Sequence, residues 1–122
     1  MATRSRIAVE LSDGTVKSVY CHWDGYPEGV GQDLLNLEFS STEEVEEFID
    51  EGDRSTVELS YKEWRDEDCP PDSHASVRDF FDGDIEMYGY LFTQEGEWLV
   101  WSHYSGQSMP MRLEEVLSPQ FK

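Results

Sequence analysis

Apolar and polar positions first alternate along this chain and then fall into helical spacing, and the switch marks its elements. Ile7, Val9 and Leu11 recur at every second residue, the period of a strand with one buried face. Asp13-Gly14 follows. Glycine readily takes the positive φ of a tight turn, so Val16 to Trp23 is expected to return as the second strand of a hairpin. Gly25, Pro27, Gly29 and Gly31 interrupt regular structure over residues 24–31. Leu34, Leu35 and Leu37 then mark a short helix or an irregular buried segment.

The clearest helix runs from Thr42 to Glu51. Ser41 is placed to cap it, Glu44 sits at the capping-box spacing, and Val45, Phe48 and Ile49 form one apolar stripe. Gly52 can end it in a left-handed conformation. Thr56 to Tyr61 reads as a strand, Lys62 to Ser76 as a polar loop stiffened by Pro70-Pro71, and Val77 to Phe81 as a short helix or turn. Met87–Thr93 and Trp98–Tyr104 are expected to form a second hairpin through Gln94-Glu95-Gly96-Glu97. Tyr88, Tyr90 and Phe92 would share one face, and Leu99 and Trp101 a face of the partner strand. Met111 to Leu117 is a short strand or helix. Together these elements predict an α+β fold: an antiparallel sheet built from hairpins, with one or two helices on one face, in a single domain over residues 1–122.

Charge changes the picture more than composition does. The chain carries 27 acidic and 9 basic residues, a net charge of −18. Between Glu43 and Glu86 stand 17 of the acids and only 4 of the bases. A field of this sign repels nucleic acid and membrane surfaces and attracts basic protein surfaces. No apolar run reaches the ~18 residues of a membrane span. The start, Met-Ala-Thr-Arg-Ser-Arg-Ile, has no apolar signal region, so the expected location is the cytoplasm, with Cys21 and Cys69 as reduced thiols.

Three stretches carry a resemblance. They are Thr3-Arg4-Ser5-Arg6-Ile7-Ala8, Asp13-Gly14-Thr15-Val16, and Tyr20-Cys21-His22-Trp23-Asp24-Gly25-Tyr26-Pro27. Together they resemble a family of small accessory proteins encoded by tailed bacteriophages. Tyr88-Gly89-Tyr90-Leu91-Phe92 and Glu97-Trp98-Leu99-Val100 are similar to that family's second hairpin. The likeness covers the first third and the second hairpin, and the acidic middle lies outside it. It implies a protein made in the cytoplasm of an infected bacterium, of a kind that acts against host transcription, restriction or other defence systems. It implies no particular activity.

Within the acidic segment, Glu43, Glu44, Glu46, Glu47, Asp50 and Glu51 occupy the polar face of the expected helix, with no Lys or Arg among them. Like charges at i,i+4 cost ~0.2–0.5 kcal/mol per pair, and acids in the last turn oppose the helix dipole. Duplex DNA presents one negative charge per ~1.7 Å of axis, and helix carboxylates about 5–6 Å apart can occupy a basic cleft built for it. Glu63, Asp66, Glu67, Asp68 and Asp72 could extend the track. The expected function is therefore non-enzymatic: a DNA-mimic-like inhibitor of a host or defence protein.

The alternative is a sponge for a small nucleotide-type signal. His22, Trp23, Asp24, Tyr26, Gly29 and Gly31 would form its pocket, using backbone N–H groups for phosphate and Trp23 or Tyr26 for the base. Catalysis through Cys21, His22, Asp24 or His103 lacks the orienting groups it would need, since adjacent strand residues face opposite sides. Cys21 and Trp23 are expected inward and His22 outward. Cys21, His22, Cys69 and His74 lie outside zinc-ligand spacing, so no metal or cofactor is expected. The aromatic hairpin reads as sheet core, because single-strand stacking needs a basic groove beside it. Exposed strand edges permit a homodimer.

Overall fold

The computed structural model describes residues 3–66, 68–83, 86–102 and 109–117. Its first hairpin pairs β1 (Ser5–Glu10) with β2 (Val16–Cys21) in antiparallel register, Ile7 opposite Val19. The turn closes as expected. Gly14 takes φ +88°, and the Asp13 carboxylate accepts hydrogen bonds from Thr15 N (3.0 Å) and Oγ1 (2.6 Å), which hold its pKa below the usual range. Residues 5–9 are buried on both faces, so β1 belongs in the middle of a sheet and needs a neighbour on each edge. The second neighbour is β6 (Tyr88–Phe92), which runs parallel to it with Ile7 opposite Tyr90. Strand β6 turns back into β7 (Trp98–Trp101), and β8 (Met111–Arg112) closes that edge.

On the other side, β2 shares its outer edge between two short strands. At its end, Cys21 pairs in parallel with β3 (Arg54–Thr56), which folds back as β4 (Leu59–Ser60). At its start, Val16–Ser18 pairs with β5 (Asp72–His74). The sheet order is β4-β3-β2-β1-β6-β7-β8, with β5 beside β2. The fold is α+β. Its hairpins are antiparallel, but the chain between them crosses over, so the sheet is mixed and not antiparallel throughout.

Helices cover both faces, where one covered face was expected. On the first face α1 (Gln32–Asn36), α2 (Thr42–Asp50) and α5 (Leu113–Leu117) seal a core of Ile7, Val9, Val19, Tyr90, Phe92 and Val100. On the second, α4 (Val77–Asp82) lays Phe80 and Phe81 over Ala8, Val16 and Leu91. Two consecutive buried aromatics gave that short helix an apolar face the sequence pattern undervalued. Beside it Arg6 donates to Ser18 Oγ (3.0 Å) and Asp72 Oδ2 (2.7 Å), and Ser18 Oγ lies 2.7 Å from His74 Nε2, pinning β5 to the hairpin.

Three further departures are local. The strand expected over 56–61 breaks at the β3–β4 turn, and Tyr61 instead opens α3 (Tyr61–Arg65), whose N-terminus has a complete Ser60/Glu63 capping box. The expected loop over 62–76 therefore contains α3 and β5. Residues 27–31 form a π-helical turn leading into α1. Among the described residues, no helix is long and apolar enough to cross a membrane.

Candidate functional site

Helix α2 lies across β1 and β2 because Val45 and Ile49, four residues apart, are both fully buried. Burying that stripe turns the carboxylates outward. The Ser41 backbone is extended and its Oγ accepts from Glu44 N at 3.2 Å, the expected cap. Glu44 reaches one residue further back, accepting from Ser40 N (2.7 Å) and Ser40 Oγ (3.0 Å). Those bonds favour its ionised form and hold its pKa below the ordinary glutamate value. At the other end Gly52 takes φ +92°, and a Cβ there would stand 2.4 Å from Cys69 O, so only glycine fits. Asp53 N donates to that same carbonyl at 2.9 Å.

The structure supplies two cations that the helix sequence lacks. Lys17 of β2 donates to Glu46 (3.1 Å) and Asp50. Its partial burial works against the charge, yet the bonds to Asp50 and Glu46 outweigh it and raise the pKa. Arg54, only 3% exposed, donates to Glu51 (3.0 Å), Val57 O (3.1 Å), Thr56 O (3.3 Å) and Phe48 O (3.4 Å). Its guanidinium also lies 4.1 Å from the Phe48 ring centroid. Half the helix carboxylates are thus answered from within the fold. Glu43 and Glu47 have no basic partner among the described residues.

Two open depressions flank α2. One, of about 580 Å³, lies between the helix and the β1–β2 turn, with Asp13, Glu43, Glu46 and Gln94 on its walls. The other, of about 460 Å³, has an apolar floor of Leu37, Phe39, Phe48 and Val57 and a rim of Glu44, Glu47, Glu51 and Glu58. Sequence reading did not find this second groove. Its floor comes from three separate stretches of chain, and its only local signal was the pair Leu37 and Phe39 beyond α1.

The supporting acids are structurally varied. Glu63 completes the α3 capping box, Asp66 takes a left-handed φ of 57° at the end of that helix, and Asp68 is exposed. Asp72 is bound to Arg6. Glu67 and His103 lie outside the described residues.

Residues 22–31 form a tightly packed corner. Gly25 N donates to Thr3 O (2.8 Å), Gly29 N to Tyr26 O (2.9 Å) and Val30 N to Asp24 O (2.7 Å), so these N–H groups are already used. A Cβ on Gly29 would stand 2.3 Å from Asp24 O, and one on Gly31 2.9 Å from Leu113. His22 Nδ1 lies 2.7 Å from Tyr20 OH, and Tyr26 OH donates to Asp24 (3.3 Å). Trp23 is 43% exposed and not inward: regular β2 ends at Cys21, and although Trp23 N still donates to Ser55 O of β3 at 3.0 Å, its side chain stands out of the core. Cys21 is buried as expected, and burial pushes its thiol up to about 12, which makes it a poor nucleophile. Among the described residues, no group of three or more His, Cys, Asp and Glu side chains could hold a metal ion. His74 pairs with Val16, at the far end of β2 from Cys21.

The molecule is thus an α+β domain with a mixed, centrally parallel sheet and an acidic helix across its first hairpin. Comparison with protein-family models, curated proteins and solved structures found no match.

Proposed function

We propose that this chain is a non-catalytic binding module that blocks a basic, nucleic-acid-binding surface on a host or anti-phage defence protein, with α2 as the contact. One observation carries the reading. The helix turns a wholly acidic face outward, and the two cations among the described residues that the fold sets against it, Lys17 and Arg54, sit at its flanks and leave Glu43 and Glu47 unanswered there. Ions facing solvent in this way repel each other in the free protein and gain most when a cationic surface arrives. Glu44, with its lowered pKa, stays charged into mildly acidic solution.

The test is co-purification from bacterial lysate with the wild-type chain and with Glu43→Gln/Glu44→Gln/Glu47→Gln. A basic partner retained by the first, lost by the second, and eluted by moderate salt supports the reading. The same partners retained by both proteins across a wide salt range overturn it.

A further inference from the structure

The groove on the α1 side of α2 differs from the rest of the acidic surface, because its charges surround an apolar floor. Leu37 is 47% exposed although it is a large aliphatic residue. Phe39 meets Phe48 at 5.5 Å between ring centroids, in a tilted edge contact, and Phe39 also touches Trp98 at 6.3 Å. Arg54 holds the other side of the Phe48 ring. The two aromatic rings of the floor are therefore already fixed by packing, and a partner would not have to order them. Its volume falls within the ~300–1,000 Å³ typical of clefts that take up ligand-sized groups.

The rim has one sign. Glu44, Glu47, Glu51 and Glu58 surround the floor, and the single cation among the described residues that line it, Arg54, is buried beneath and already bound to Glu51. Glu44 is further fixed by its two bonds to Ser40. A nucleic-acid mimic needs carboxylates alone. An apolar floor inside a carboxylate ring is complementary to something with both features: aliphatic or aromatic side chains flanked by Lys or Arg.

We propose that this groove is the docking site for a basic amphipathic segment of a partner protein, seating apolar side chains on Leu37, Phe39 and Phe48 and pairing its cations with Glu44, Glu47 and Glu58. The inference rests on the acidic-face reading above and deepens it. Contact moves from the crest of α2 to one flank, and binding becomes partly independent of salt, because burial of apolar surface is not screened.

The test measures fluorescence anisotropy of a labelled amphipathic Leu/Lys peptide, and of a reference peptide in which every Leu is Gln at the same charge. Both are titrated with the intact protein at about 0.15 M and about 0.5 M salt, conditions of longer and shorter electrostatic reach. The variants are Leu37→Gln, which changes a solvent-facing side chain, Glu47→Gln/Glu58→Gln on the rim, and Glu43→Gln/Glu46→Gln on the opposite flank. The expected result is preference for the Leu/Lys peptide that survives the higher salt. Roughly tenfold weaker binding is expected for Leu37→Gln and for the rim pair, with little change for the opposite pair.

Equal binding of the two peptides, with both double variants weakened alike, overturns the groove and leaves the acidic-face reading standing. Failure of both peptides to bind overturns both. A groove signature with no charge-dependent partner in lysate supports the groove and overturns the blocking role. If the chain alone sediments as a dimer that Leu37→Gln dissociates, the groove is a self-interface and the proposal falls.

Discussion

The two flanks of α2 start from the same sequence periodicity and end in opposite electrostatic states. On the side of the β1–β2 turn, Glu46 and Asp50 share Lys17, a partly buried side chain whose partners keep contact with water. On the other side, Glu51 meets Arg54, which is buried, binds three backbone carbonyls and braces Phe48. The first pairing softens a surface. The second builds one, because it fixes the apolar floor over which Glu44, Glu47 and Glu58 remain negative. The charge of a helix face is thus decided by what the sheet beneath it contributes.

Several substitutions sharpen this contrast. Arg54→Met should cost the most, about 3 kcal/mol, because it strands buried carbonyl groups and removes the brace on Phe48. Urea unfolding measures it, and a cost no larger than that of Lys17→Met would erase the distinction between the flanks. Ser41→Ala should cost ~1 kcal/mol in the same assay, through loss of the α2 cap. Lys17→Met should cost ~0.5 kcal/mol, shrinking as salt is added, since its partners are partly exposed. Its pKa is raised on folding, so its contribution is complete below the ordinary lysine value of 10.5 and is lost as pH rises through the folded value. The variant's deficit should therefore vanish in alkali.

The smallest effect is expected at Asp53, where burial raises the carboxyl pKa, opposed by its bond from Tyr20 N and by Arg6. A raised carboxyl pKa penalises folding above the unfolded value, and the penalty fades as pH falls through the folded one. Asp53→Asn keeps an acceptor for Tyr20 N, so thermal melts should find the variant slightly more stable at pH 7 and no different from wild type in acid. A destabilised Asn variant at neutral pH would show that attraction to Arg6 outweighs burial.

What was legible in the sequence was local. The Ile7/Val9 strand, the Asp13-Gly14 turn, the Ser41 cap and the Gly52 stop each depend on residues within a few positions and appear where the pattern put them, although the strand is buried on both faces where the alternation predicted one, and ends before Leu11. The β6–β7 hairpin was legible for the same reason. The parallel pairing of β1 with β6, the seat of β5 on β2 and the bonds from Lys17 to Glu46 and Asp50 join residues far apart in the chain. No periodicity reports them. The acidic face was read correctly as a run of residues but incompletely as a surface, because Lys17 and Arg54 stand outside the helix. The glycine-rich turn misled for a related reason. Free N–H groups and N–H groups consumed by neighbouring carbonyls look identical until Thr3, Tyr26 and Asp24 are in place.

The seating of Ile7 against Tyr90 has a consequence for the life of the chain. The hairpin on which α2 lies is made before the helix, but β1 has no second neighbour until β6 has left the ribosome, so the core that Tyr90 and Phe92 complete stays open until then. Contacts of such long sequence separation slow folding. Newly made molecules should spend that interval with a charged helix over an incomplete core, and their strong mutual repulsion would then act as a safeguard against clumping while the sheet waits for its central partner.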